Sequence, residues 1–262
     1  MKVEKESLDS MKKIVFSDID KTLAKGSNIS IKNINEIKRI KNLGVEFVLA
    51  SGRSLTYTKK IAKIKDSDNY IISNNGALAY DNINNKVIYA SFITKENLLK
   101  INNLCNEEVN ITYQLLDKDI NVLEESDYDK VVQVVIITKN RELLLDIMDK
   151  INNIEGIKVA NKHKSFYDST YPLPFEFYID VANSETDKSI AIKHILNYLN
   201  LESTNSIRFG DGINDIKMFE SDSFNVAVDN AIPEVKERAN MITTSYDNDG
   251  VGNALEKIFD NK

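Results

Sequence analysis

Two acids spaced two apart, Asp18 and Asp20, follow the apolar run Ile14 to Phe16, and a hydroxyl, Thr22, stands two further on. The run reads as a short buried strand, so both carboxylates fall at its C-terminal end. Asp211 and Asp215 follow the strand-like stretch Ile207 to Gly210 in the same way, and Ser51 follows Val45 to Ala50. In open α/β sheets ligands gather beyond such ends. Lys188 falls in the first turn of a helix opening at Asp187, an end whose dipole favours anions, so it calls for an anion opposite it or for solvent. Carboxylates of this number suit Mg²⁺, a hard cation held by oxygen. One of them can attack phosphorus and another can carry the proton, which together make phosphoryl transfer. Each feature also has a plainer reading, because Asp, Lys and Thr after a strand are ordinary turn and cap residues and a lone lysine is usually solvated.

The elements that position these residues alternate strand and helix. Ser30 caps a helix carrying Ile31, Ile34, Ile37 and Ile40, and Gly44 ends it. Strands over 45–50 and 70–72 run into the polar loops Ser51-Gly52-Arg53 and Ser73-Asn74-Asn75-Gly76, with a helix over 54–65 between them. Crossovers this short predict parallel neighbours with helices on both faces, a doubly wound, Rossmann-like α/β sheet. From about 82 to 183 the texture changes: strands over 87–92, 111–116, 131–138 and 175–181 accompany helices over 94–103 and 141–152, and Gly156 is the one glycine. That predicts an inserted α+β lobe, so the expected division is a discontinuous core of 11–81 and 184–262 with an insert of 82–183. The first pattern resumes with a helix carrying Ile192, Ile195 and Leu196, and closes with a helix over 251–259.

Composition narrows the function. The chain has 262 residues, 42% hydrophobic and 28% charged, with a formal charge of −6, which argues against nucleic acid as a partner. A single cysteine, Cys105, rules out an intrachain disulfide framework and suits a reducing compartment. No apolar run is long enough to span a membrane, and the charged stretch Met1 to Ser10 does not read as a signal peptide, so a cytoplasmic protein is expected. His163 and His194 lack metal-ligand spacing and read as surface or packing residues, and Tyr171-Pro172-Leu173-Pro174 reads as a turn.

In order along the chain, Asp18-Ile19-Asp20-Lys21-Thr22, Ser51-Gly52-Arg53, Lys188 and Gly210-Asp211-Gly212-Ile213-Asn214-Asp215 resemble the four motifs of the haloacid dehalogenase (HAD) superfamily. With the insert between Ser51 and Lys188, the chain resembles its Cof-type phosphatases with a C2 cap. The resemblance implies a HAD core with an α+β cap and a Mg²⁺-dependent phosphatase acting on a small phosphate monoester, a sugar phosphate or phosphorylated cofactor, through an aspartyl phosphate. It implies Asp18 as nucleophile, Asp20 as general acid/base and Lys188 as the charge-neutralising catalytic group. Ser51, Gly52 and Asn214 would bind phosphate, Arg53 and Asn75 would contact substrate, and Asp18, Asp20, Asp211 and Asp215 would serve the metal. A phosphomutase with the same nucleophile and a non-catalytic phosphate-ligand sensor are the alternatives. No nucleic-acid or membrane partner is expected, and the chain would be a monomer or weak homodimer. The sequence departs from the family at Lys21, where glycine is usual, and at Ser51, where threonine is common.

Overall fold

The computed structural model describes residues 13–26, 28–64, 69–164 and 177–260. His163's side chain and the 171–174 turn lie outside the described residues.

Strand β1 (Ile14–Ser17) is buried along its whole length, and its alternate residues feed two different cores. Val15 packs on one face of the sheet, while Ile14 and Phe16 pack on the other, which is why the run Ile14 to Phe16 is apolar throughout. A small hairpin of β2 (Ala24–Lys25) and β3 (Asn28–Ile29) leads to helix α1 (Ile31–Asn42). Ser30 caps α1 by accepting from the Asn33 N–H, and its Ile37 and Ile40 are buried. Then come β4 (Glu46–Ala50), α2 (Leu55–Ile64), β5 (Tyr70–Ser73), β6 (Leu78–Asp81) and β7 (Lys86–Ala90). The middle of the chain holds α3 (Lys95–Leu104), β8 (Val109–Gln114), β9 (Asp119–Ile120), β10 (Gln133–Thr138), α4 (Arg141–Asn152), β11 (Ile157–Lys164) and β12 (Phe177–Asn183). It ends with α5 (Lys188–Tyr198), β13 (Ser206–Gly210), α6 (Ile216–Phe219), β14 (Phe224–Ala227), α7 (Pro233–Lys236), β15 (Met241–Ile242) and α8 (Gly250–Phe259).

The larger sheet runs β15-β14-β13-β1-β4-β5-β6-β7, parallel from β15 to β5. The chain leaves β1 toward β4 on one side, and β13 returns on the other, so β1 marks the point where strand order reverses. A crevice opens there beyond the strand ends. The smaller sheet, β11-β12-β10-β8-β9, is antiparallel. Helices α3 and α4 cover one of its faces through Leu98, Ile101, Leu144 and Ile147.

The strand expected over 87–92 within the insert is instead β7, the edge of the larger sheet. Its hairpin with β6 is closed locally: the Asp81 carboxylate accepts from the Ile83 and Asn84 backbone N–H groups, and this turn folds β7 back antiparallel. After β14 the chain forms only a single turn of regular α-helix, Pro233–Lys236. Strand β11 was not expected, since its Lys- and Asn-rich sequence lacks an apolar run and it pairs only at a sheet edge.

Candidate active site

The crevice at the end of β1 gathers the motif residues. Lys188 Nζ donates to Asp18 Oδ1 at 2.6 Å and to Asp215 Oδ1 at 2.7 Å, joining residues 170 positions apart in the first case. Lys188 is 1% exposed although it heads a helix, so the anions opposite it are the reason it is tolerated there. Asp187 makes the helix start by accepting from the Ile190 N–H. Asp215 Oδ2 accepts from the Asp211 and Gly212 backbone N–H groups, both at 3.0 Å, which fixes the carboxylate against its own loop. Thr22 Oγ1 donates to Asp211 Oδ1 at 2.7 Å, tying the loop after β1 to the loop after β13.

Three carboxylates therefore face one ammonium. Burial pushes the Asp18 carboxyl well up; Lys188 opposes this, while Asp215, Asp211 and Asp20 reinforce it. Asp211 is pushed up to about 6, by burial first and then by Asp215. Burial would lower Lys188, yet Asp18 and Asp215 outweigh it and hold the amine raised and charged. Asp18, Asp211 and Asp215 each offer an oxygen, all within 4.8 Å of one another. Oxygens around an octahedral Mg²⁺ at about 2.1 Å are roughly 3–4 Å apart, so this donor set and its excess negative charge fit that ion.

Asp20 stands apart from the trio. Arg53 grips it with two bonds, Nε to Oδ2 at 2.9 Å and Nη2 to Oδ1 at 2.5 Å, and stacks over Tyr57. Arg53, expected at the substrate, thus meets the expected acid/base. Lys21, next in the loop, has φ 63, a left-handed conformation that explains why glycine suits this position. The amide of Asn214, expected to touch phosphate, lies close over Gly212 in the same loop as Asp211.

The Ser51-Gly52-Arg53 and Asn74-Asn75-Gly76 loops are stitched together. Asn75 N–H donates to the Ser51 carbonyl at 3.0 Å, and Asn74 N–H to the Arg53 carbonyl at 2.9 Å. Asn74, Asn75 and Gly76 all have positive φ. Gly76 is required, because a Cβ there would lie 2.3 Å from the backbone of Asp187 at the head of α5. Gly52 is required too, because a Cβ would come within 2.7 Å of Asn75 Oδ1. Asn75, expected at the substrate, reaches the smaller sheet, where Nδ2 donates to Gln133 Oε1 at 3.3 Å and to Asp180 Oδ2 at 3.4 Å. The sequence reading missed both partners. An acid inside the apolar run Phe177 to Val181 was the signal available. Cys105 is half-buried against the smaller sheet's core, and burial pushes its thiol up to about 11, so it is a packing residue.

A parallel α/β sheet with an acidic crevice at its order reversal can hold a cation and a ligand beyond its strand ends. A family model for haloacid dehalogenase-like hydrolases matches residues 15–255, and the chain belongs to that family. A Haemophilus influenzae protein provisionally named a phosphatase is 26% identical, over 95% of this chain and 99% of its own. A phosphoglycolate phosphatase of Methanosarcina acetivorans is 25% identical, over 95% of this chain and 97% of its own. Among solved structures, a haloacid dehalogenase-like hydrolase from Bacteroides thetaiotaomicron aligns with a TM-score of 0.77 at 22% identity, covering 95% of this chain and 100% of that one. The HAD subclass IIB sugar phosphatase BT4131 aligns with a TM-score of 0.73 at 22% identity, covering 94% and 98%. The chain is thus an enzyme of the HAD type with the subclass IIB fold. Among the described residues no helix is long and apolar enough to cross a membrane.

Proposed function

We propose that this enzyme is a Mg²⁺-dependent phosphatase that hydrolyses a small phosphate monoester, a sugar phosphate or phosphorylated cofactor, through an aspartyl phosphate. The observation that carries the reading is Lys188 bridging Asp18 and Asp215 at the strand ends. Bound Mg²⁺, held by Asp18 and Asp211 with Asp20 and Asp215 in support, would supply positive charge opposite the phosphoryl oxygens.

The chain's own residues then divide the work. An Asp18 oxygen attacks phosphorus as the bond to the leaving oxygen breaks, and Asp20 gives that oxygen its proton. Water next attacks the phosphoaspartate, Asp20 takes its proton, and phosphate leaves with Asp18 restored. The Arg53 fork fixes the position of the Asp20 side chain through two hydrogen bonds. Lys188 stays charged and opposes the negative charge that grows on the transferring group, which is worth most in a buried site. The Ser51 and Gly52 loop and Asn214 would hold phosphoryl oxygens. The larger sheet would be the catalytic core and the smaller sheet with α3 and α4 the cap that selects the leaving group. A cytoplasmic location is supported by the lone Cys105, and a monomer or weak homodimer remains the proposed state.

Phosphate release from a panel of sugar phosphates, nucleotides and pyridoxal phosphate, with Mg²⁺ or EDTA, tests the reading against Asp18→Asn. Metal-dependent release lost in the variant is expected. Isomerised ester without phosphate release would make the enzyme a mutase, and inertness toward every ester would overturn the reading.

A further inference from the structure

The smaller sheet has two unlike faces. Side chains alternate along β10 and β12, so Val134, Ile136, Ile179 and Val181 meet the helices, while Gln133, Val135, Tyr178 and Asp180 turn the other way. Gln114, paired with Gln133, shares this second face, and it is docked on the catalytic loops. Asn74 Nδ2 donates to Gln114 Oε1 at 2.6 Å, and Gln133 Nε2 donates to the Gly52 carbonyl at 3.4 Å. The face therefore rests on the loop that carries Ser51 and on the turn that abuts Lys188.

Asp180 is the anomaly on that face. It is 4% exposed, and among the described residues no cation lies within ion-pair distance. Its hydrogen bond from Asn75 is long, and burial pushes its carboxyl up to about 7, with Asn75 opposing. Asn75 Oδ1 is itself buried without a hydrogen-bond partner. A carboxyl accepts up to about four hydrogen bonds, so acid and amide hold unused capacity beside the site of phosphoryl transfer. Such capacity is costly unless something fills it. Hydroxyl groups, which donate and accept, fill it; a second anion meets buried negative charge with no cation among the described residues to offset it.

We propose that Asp180, Gln133 and Asn75 form the leaving-group subsite, accepting phosphate esters that bear hydroxyls and rejecting those whose leaving group carries a second anionic group. This rests on the phosphatase reading and adds a selection rule to it. The rule sets this chain apart from the relative named for phosphoglycolate, an ester whose leaving group, glycolate, carries a carboxylate.

The test compares kcat/KM for glycerol phosphate and phosphoglycolate, with p-nitrophenyl phosphate as a third ester, in native protein, Asp180→Asn and Gln133→Leu. Native protein is expected to favour glycerol phosphate at least tenfold at pH 8. Asp180→Asn should shrink that preference at least fivefold, chiefly through a lower KM for phosphoglycolate. Gln133→Leu should raise KM for glycerol phosphate threefold or more with kcat little moved. Release of phosphate by native protein with a preference that neither variant changes, both unfolding near the native temperature, would overturn the subsite and leave the phosphatase reading intact. Release from none of the three esters by native protein would remove both.

Discussion

At the strand ends of the larger sheet, Asp18, Asp211 and Asp215 face the Lys188 ammonium, a threonine hydroxyl and backbone N–H groups. Across from them on the smaller sheet, Asp180 is as deeply buried and, among the described residues, accepts from the Asn75 amide. Burial raises the carboxyls of Asp18 and Asp211 in the first place and of Asp180 in the second. Among the described residues only the first has a charge to oppose it, and even there acids outnumber the Lys188 cation. Burying a charge without a partner costs several kcal/mol, so a fold keeps such a group where a ligand completes it. The core cluster asks for a cation; the cap cluster asks for hydrogen-bond donors.

The largest effect should come from the core. Asp18→Asn, or EDTA with the native protein, should lower phosphate release by about 10³-fold or more, read in a continuous phosphate assay. Lys188→Met should in addition reduce stability by about 3–5 kcal/mol in urea unfolding, because it strands buried carboxylates. Added Mg²⁺ should return part of that loss. A variant as stable as native would erase the contrast between the clusters.

A smaller effect should separate them by pH. Asp180 binds its proton more tightly folded, up to about 7, than unfolded, near 3.8. The folded state therefore holds more protons between those values, and stability from this group is full below about 4 and falls as pH rises through 7. Across pH 5 to 8 native protein should lose about 2–3 kcal/mol that Asp180→Asn does not lose. Equal pH profiles in urea would mean that Asp180 is compensated after all. The smallest effect should come from Lys21→Gly, which relieves a left-handed backbone and should gain up to about 1 kcal/mol by the same measurement. A loss would mean that the Lys21 charge beside Asp211 matters more than the strain.

The core site was far more legible in sequence than the cap site. Its acids follow apolar runs directly, and Lys188 stands out against the helix dipole, so each is marked by its own neighbours. Asp180 and Gln133 sit inside strands that read simply as apolar, and which face they occupy depends on pairing with β8 and β11. The strand expected over 87–92 in the insert joins the larger sheet as β7, because a strand's sequence does not state which sheet it joins; the Asp81 turn decides that.

The sequence by itself determined the alternation of strands and helices in the core, the polar loops at strand ends and the family those loops resemble, because periodicity, capping and turn chemistry act over a few residues. Tertiary structure alone decided that Lys188 bridges Asp18 and Asp215, that Arg53 holds Asp20, and that Asn75 meets Asp180. These contacts join residues from 27 to 170 positions apart. They exist only once sheet register and burial have set which faces meet, and charges repel or compensate only at the distances that packing allows.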